Sequence, residues 1–282
     1  MTQGRLTTIL LAVFASLVLA LGALGCGDDD DDDGGGGGTD TAADLGLIKD
    51  GTLTVASDIP YPPFEQGDPP AYEGFDIDLI NEVAERLELD TEIKDLPFDA
   101  LLQGRGGGRY DVAIAATTIT PAREKRVDFS DPYFNSEQSL MVRVDGDIKS
   151  IDDVTSETII GAQDATTGET YANENTDADV RPFQESDDAN QALANGQVDA
   201  VLNDLPTTEA VAEANPDLEV VQTFDTGEEY GIIFGQDQDT LLEQVNIALQ
   251  EIKDDGTLDE LYQKWFSKAA PKSLLTATHE PK

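Results

Sequence analysis

From residue 52 to residue 266 short apolar runs alternate with amphipathic stretches, and this alternation restricts the chain to folds assembled from strand and helix units. Residues 52–56 read as a strand. The following GFDIDLINEVAERLEL reads as a helix, with Asp76 placed to cap it and Ile80, Val83, Ala84 and Leu87 at the spacing of one buried face. A short strand at 91–93, a short helix from Asp99 and a glycine-rich turn come next. That turn lacks the spacing of a phosphate loop and leads into a strand, not a helix. The alternation then resumes with a strand at 158–162, the stretch TTGETYANEN, a helix at 187–195, a strand at 198–203 and a helix at 209–214. EEYGIIF reads as an apolar strand, and 241–252 and 258–266 as two amphipathic helices. Such an order predicts one or two mainly parallel sheets that take ligands at the carboxyl ends of their strands.

The segment 110–133, YDVAIAATTITPAREKRVDFSDPY, places an arginine where an apolar strand ends. Thr120 suits an N-cap and Pro121 the first helical position, which puts Arg123 in a first turn beside unpaired amides and the positive end of a helix dipole. A guanidinium there can clamp a carboxylate through two parallel hydrogen bonds. The alternative is a surface arginine paired with Glu124 or Asp128.

The amino-terminal residues 1–25 have the pattern of an export signal, with Arg5 ahead of an apolar core at 9–21 and a small residue before Cys26. The only cysteine of the chain then stands at the cleavage boundary, where it cannot form an internal disulfide. ALGC resembles the bacterial lipoprotein processing box, which implies an exported protein with a lipid on Cys26, held on the outer face of the cytoplasmic membrane or in the periplasm. Ala23 stands where leucine is more usual, which leaves ordinary signal cleavage as the alternative. Residues 26–43, with six aspartates and five glycines in sequence, can bury nothing and read as a tether. Their calcium-loop spacing (Asp29, Asp31, Asp33, Gly34, Asp40) carries no weight, because polyaspartate matches any pattern built from aspartates. With 58 acidic against 17 basic residues the net charge is −41, which repels nucleic acid and anionic lipid surfaces and excludes a nucleic-acid partner. Residues 269–282 lose periodicity and are expected to form a flexible tail.

Imidazole and thiol catalysis have nothing to work with, since the single histidine, His279, lies in that tail and no GxSxG or HExxH motif occurs. A second strand end mirrors the first: VDAVLND closes on Asp204. Its carboxylate could cap a helix before Pro206 or hold an ammonium group. Arg123 for a carboxylate and Asp204 for an amine are together what an α-amino acid zwitterion requires.

PPFE, GFDIDLINEVAERL, ITPAREKRVDFSDPY, NGQVDAVLND, YGI and DGTLDELYQKWF stand in one order. Over about residues 48–268 this chain resembles the periplasmic amino-acid-binding proteins of ABC importers, extracellular solute-binding protein family 3. The resemblance implies an α/β, two-lobed periplasmic-binding-protein-like fold of type II, with a ligand cleft between lobes joined by two crossover strands near 140–144 and 224–230. Lobe 1 would comprise 44–139 plus 231–268, and lobe 2 would comprise 140–230. It further implies Arg123 for the ligand α-carboxylate, Asp204 for the α-ammonium, and Ala116, Thr118 and Thr167 to complete that cage. Tyr61 and Phe98 would sandwich the ligand side chain, although ordinary core packing would also suit both rings. Asp58 would contact the far end, and Gln163 and Asn203, with Asp164 and Ala165, stand where members of different specificity vary.

The expected function is capture of a polar, cationic or amide, L-amino acid by cleft closure and its delivery to the transmembrane subunits of an ABC permease. The chain would act as a monomer, without cofactor or metal and without catalysis. Two alternatives remain: a dehydratase of the cyclohexadienyl or arogenate type on the same fold, with Glu65, Glu169 or Asp164 as its acid, or a sensor that feeds a signalling receptor.

Overall fold

The computed structural model describes residues 45–104 and 108–280. The export signal (1–25), Cys26 and the tether (26–43) lie outside the described residues. In chain order the elements are β1 (Thr52–Ser57), β2 (Gln66–Asp68), β3 (Ala71–Glu73), α1 (Phe75–Arg86), β4 (Asp90–Asp95), α2 (Phe98–Leu101), β5 (Val112–Ala113) and β6 (Asp128–Phe129). The long strand β7 (Phe134–Arg143) follows, then β8 (Ile159–Gln163), α3 (Thr167–Asn175), β9 (Asp179–Phe183), α4 (Ser186–Ala194), β10 (Ala200–Asp204) and α5 (Leu205–Ala214). A second long strand, β11 (Leu218–Tyr230), leads to β12 (Ile233–Phe234), α6 (Asp239–Asp254) and α7 (Thr257–Phe266).

Two five-stranded sheets result, in the orders β4-β1-β5-β12-β6 and β11-β7-β10-β8-β9, with β2 and β3 paired as a separate ribbon. The first sheet is parallel across β4, β1 and β5, and the second across β10, β8 and β9. Each is covered on both faces, and the period-two alternation of the strands divides the core accordingly. In lobe 1, Leu53, Val55, Val112 and Ile114 pack with α1, α6 and α7, while Ala56, Ala113, Phe129 and Ile233 pack with Leu101 of α2. In lobe 2, Leu140, Val142 and Leu202 face Ala172 of α3, whereas Met141 and Val201 face Ala189 and Leu193 of α4.

The lobes are joined by β7 and β11, which pair antiparallel over most of their length. Phe134 and Tyr230 belong to the lobe 1 core and Leu140 and Val142 to the lobe 2 core, so β7 passes between the lobes at about 135–138. The crossing expected near 140–144 therefore lies inside the second sheet. The partner segment of β11 carries its register irregularity between Phe224 and Glu228, within the expected second crossing.

Three local expectations are corrected. Asp76 does not cap α1: Gly74 is its N-cap at φ +141°, and the Asp76 side chain turns inward, where Oδ2 accepts from the Ala116 N–H at 2.7 Å and the Tyr133 hydroxyl at 2.8 Å. A Cβ at position 74 would stand 1.9 Å from the Phe64 carbonyl oxygen, so only glycine allows the chain to turn into the helix so close to its own backbone. Residues 121–126 form turns and no helix, held by the Arg123 and Glu124 N–H groups donating to the Thr120 carbonyl at 3.0 Å. Over its described length the carboxyl-terminal segment is also packed: Leu274 is fully buried, the Ala270 N–H donates to Asp259, Lys253 Nζ to the Ala277 carbonyl, and the His279 N–H to Asp131. Burying one leucine side chain contributes about 2 kcal/mol, enough to hold a short segment that shows no periodicity of its own.

Candidate ligand cleft

The cleft is built at the carboxyl ends of β1, β5, β8 and β10, where the backbone leaves each sheet and its polar groups face outward. Asp58 follows β1, Ala116 and Thr118 follow β5, Gln163 ends β8 and Asp204 ends β10. These residues, with Tyr61, Glu65, Phe98, Arg123, Thr166 and Thr167, line one cleft. Nine of the ten residues predicted from the sequence are thereby brought together. The tenth, Asn203, sits behind the wall, accepting from the Tyr61 hydroxyl at 2.8 Å and donating to Ser186 Oγ at 2.9 Å.

Arg123 is buried, and its guanidinium donates to the Thr118 carbonyl at 2.7 Å and, across the cleft, to the Ala165 carbonyl at 3.1 Å. It also lies over the Phe98 ring, 5.2 Å from the centroid. Among the described residues no carboxylate stands within 4.0 Å of it, so the pairing with Glu124 or Asp128 does not form. Burial pushes its pKa down to about 10, while the charges of Asp204 and Glu228 act in the opposite sense. Two alanines on this wall, Ala116 at φ +43° and Ala165 at φ +62°, hold left-handed backbone that costs about 1–2 kcal/mol for a residue with a Cβ. At Ala165 the strain aims the carbonyl at Arg123. The Ala116 N–H is taken by Asp76, which leaves its carbonyl as the group it can offer a ligand.

Asp204 has the backbone of an N-cap for α5, but its side chain makes no capping bond. Instead Oδ2 accepts from the Tyr61 and Tyr230 hydroxyls and Oδ1 from Gln138 Nε2. Burial first, and then the neighbouring Glu228, raise its pKa to about 7 against the lowering effect of these donors. Glu228 Oε2 in turn accepts from Thr118 of lobe 1 at 2.5 Å and Thr167 of lobe 2 at 3.0 Å. Thr167 opens α3, whose first amides have no partner within the helix.

At the other end, Asp58 Oδ2 accepts from Gln163 Nε2 at 2.7 Å, and burial raises the Asp58 pKa to about 7. Tyr61 stacks on Phe64 at 6.2 Å, and Phe98 carries Arg123, so both rings belong to the wall as well as to the core. Of the three acids considered for catalysis, only Glu65 lines the cleft; Asp164 is exposed, and Glu169 accepts from the Ala165 N–H at 3.0 Å. Gln138, Glu228 and Tyr230 were not predicted as site residues. They lie on the two crossover strands, far apart in sequence, and only the pairing of β7 with β11 reveals them.

Two α/β lobes on paired crossover strands, with a polar cleft at the strand ends, define a type II periplasmic binding protein. The model of the bacterial extracellular solute-binding proteins, family 3, matches residues 53–268, and the chain belongs to that family. It is 33% identical over 239 residues to the L-cystine-binding protein TcyJ of Escherichia coli (strain K12), covering 82% of this chain and 90% of that protein. Among solved structures it is similar to an ancestral arginine-binding protein bound to arginine, at 38% identity and a TM-score of 0.72, covering 77% of this chain and 98% of the other. An ancestral amino acid-binding protein described as a precursor of cyclohexadienyl dehydratase gives 36% identity and a TM-score of 0.72, covering 77% and 96%.

Proposed function

We propose that this protein captures a polar L-amino acid between its lobes and delivers it, without chemical change, to an ABC permease. The observation that carries this reading is the buried Arg123 guanidinium, which has no carboxylate partner among the described residues, opposite the buried carboxylate of Asp204. A zwitterion supplies both missing charges. Arg123 and the first amides of α3 would receive the α-carboxylate, and Asp204 the α-ammonium with the Thr118 hydroxyl beside it. Tyr61 and Phe98 would flank the side chain, with Asp58 and Gln163 at its far end. Because the poles are held by different lobes, bound ligand favours the joined arrangement of the lobes through contacts that exist only there. The cystine-binding and arginine-binding relatives support an amino acid as the ligand class.

Calorimetric titration with the twenty amino acids tests this. Binding of at least one, abolished by Arg123→Ala, is expected; heat from none overturns it. The dehydratase alternative has Glu65 in its favour, together with the ancestral relative. It requires product from prephenate or arogenate, and incubation with both decides against it if neither is consumed. Anchoring through a lipid on Cys26 belongs to the same proposal. Cys26→Ser should release the protein from membrane to soluble fractions.

A further inference from the structure

Glu65 is fully buried on the cleft wall, and among the described residues neither carboxylate oxygen has a hydrogen-bond partner. A buried carboxylate without a donor costs several kcal/mol, and such groups are ordinarily paired. Its position is set by backbone: the Tyr61 N–H donates to the Glu65 carbonyl at 2.7 Å and the Glu65 N–H to the Tyr61 carbonyl at 3.2 Å. The turn that presents the Tyr61 ring therefore also presents Glu65. No cation compensates it among the described residues: the charges that act on it are those of Asp76, whose Oδ1 is also unpartnered, and Asp58, which is shared between the Gln163 amide and the Glu185 carboxyl. The phenols of Tyr61 and Tyr133 complete its titratable surroundings.

The charges lining the cleft are Asp58, Glu65 and Asp204 against Arg123. On the amino-acid reading, on which this inference rests, the ligand zwitterion pairs with Arg123 and Asp204 and leaves two carboxylates unanswered. We propose that Glu65 is a specificity-determining residue that receives the cationic end of the ligand side chain, so that the ligand is a basic amino acid. Desolvation, with Asp76 and Asp58 beside it, pushes the Glu65 pKa well above the usual carboxylate range, so a proton neutralises it until a cation takes that place.

The test compares L-arginine, L-lysine and L-glutamine by calorimetry on the full chain and on Glu65→Gln, which keeps the shape of the side chain and removes the charge. The unmodified protein is expected to bind arginine or lysine at least about tenfold more tightly than glutamine. In Glu65→Gln that preference should fall by about tenfold. Preference for glutamine in the unmodified protein, or an unchanged ratio in the variant, overturns the proposal. Binding of none of the twenty amino acids overturns the amino-acid reading itself. Should Glu65→Gln fail to fold, proton release decides: titrations at pH 7 in two buffers of different ionisation enthalpy should show more protons leaving with arginine than with glutamine, because Asp204 meets the α-ammonium of either ligand and only Glu65 separates the two. Equal release with both overturns the assignment.

Discussion

The Tyr61 hydroxyl of lobe 1 donates to Asp204 Oδ2 of lobe 2 at 2.9 Å. A ring read as a stacking surface thus also closes the cleft, by occupying the carboxylate that would hold an ammonium group. Tyr230 and Gln138 supply the other donors to the same carboxylate. Replacing Asp204 by Asn removes the charge while keeping the shape. Amino-acid affinity should fall by about 2–5 kcal/mol, the usual loss when one partner of a buried charge pair is removed. Calorimetry against the tightest ligand measures it, and a loss under tenfold would count against an ammonium at Asp204.

Arg123→Lys separates charge from geometry. A lysine keeps the positive charge but cannot reach the Thr118 carbonyl, the Ala165 carbonyl and a ligand carboxylate from one planar group. Affinity is expected to fall at least about tenfold. Unaltered affinity would show that a point charge suffices and that the clamp is not bidentate.

Stability without ligand should decline as pH rises. Burial raises Asp58, Asp76 and Asp204 to about 7 in the folded protein. A carboxyl group unfolded in water titrates near 3.9, so between about pH 4 and pH 7 the native state holds protons that the unfolded chain has released. The resulting stability is complete below that window and is lost as pH climbs through about 7. Thermal midpoints at pH 5 and pH 8, at fixed ionic strength, should differ in favour of pH 5. Asp76→Asn should reduce the difference, which isolates the buried group from the acidic surface. A midpoint that is higher at pH 8 contradicts this account.

Leu274 lies beyond α7, where it opens a single 3-10 turn (Leu274–Thr276), yet is fully buried in the lobe 1 core. Leu274→Ala should cost about 2–5 kcal/mol by transfer loss and cavity formation. Denaturant unfolding reads that loss, and ligand affinity should be unchanged because the residue does not line the cleft. A cost below about 0.5 kcal/mol would mean that the segment contributes nothing to the lobe.

Most elements were legible because their signals are local. The buried face of α1 at Ile80, Val83 and Ala84 follows from helical spacing alone, and the strand end at Asp204 follows from where an apolar run stops, whereas the run 112–116 outlasts β5, which ends at Ala113. The failures share a different cause. Thr120 and Pro121 satisfy the local rules for a helix start, but the chain turns through 121–126 into β6 and no helix propagates. Asp76 satisfies the local rule for a cap, but its carboxylate is taken by the Ala116 N–H and the Tyr133 hydroxyl, both distant in sequence. His279 and Leu274 lie where no periodicity exists, and their places are set by partners in lobe 1.

The sequence by itself determined the strand and helix units, the family, and the two charged groups at strand ends, because periodicity, turn chemistry and residue order are written along the chain. Only the tertiary structure decided what those groups meet. Pairing of β7 with β11 brought Gln138, Glu228 and Tyr230 to Asp204, while packing between segments far apart in sequence set Asn203 behind Tyr61 and, among the described residues, left Arg123 without a carboxylate and Glu65 without a donor. Burial and partnership depend on groups that are neighbours in space and far apart in sequence, so no local pattern encodes them.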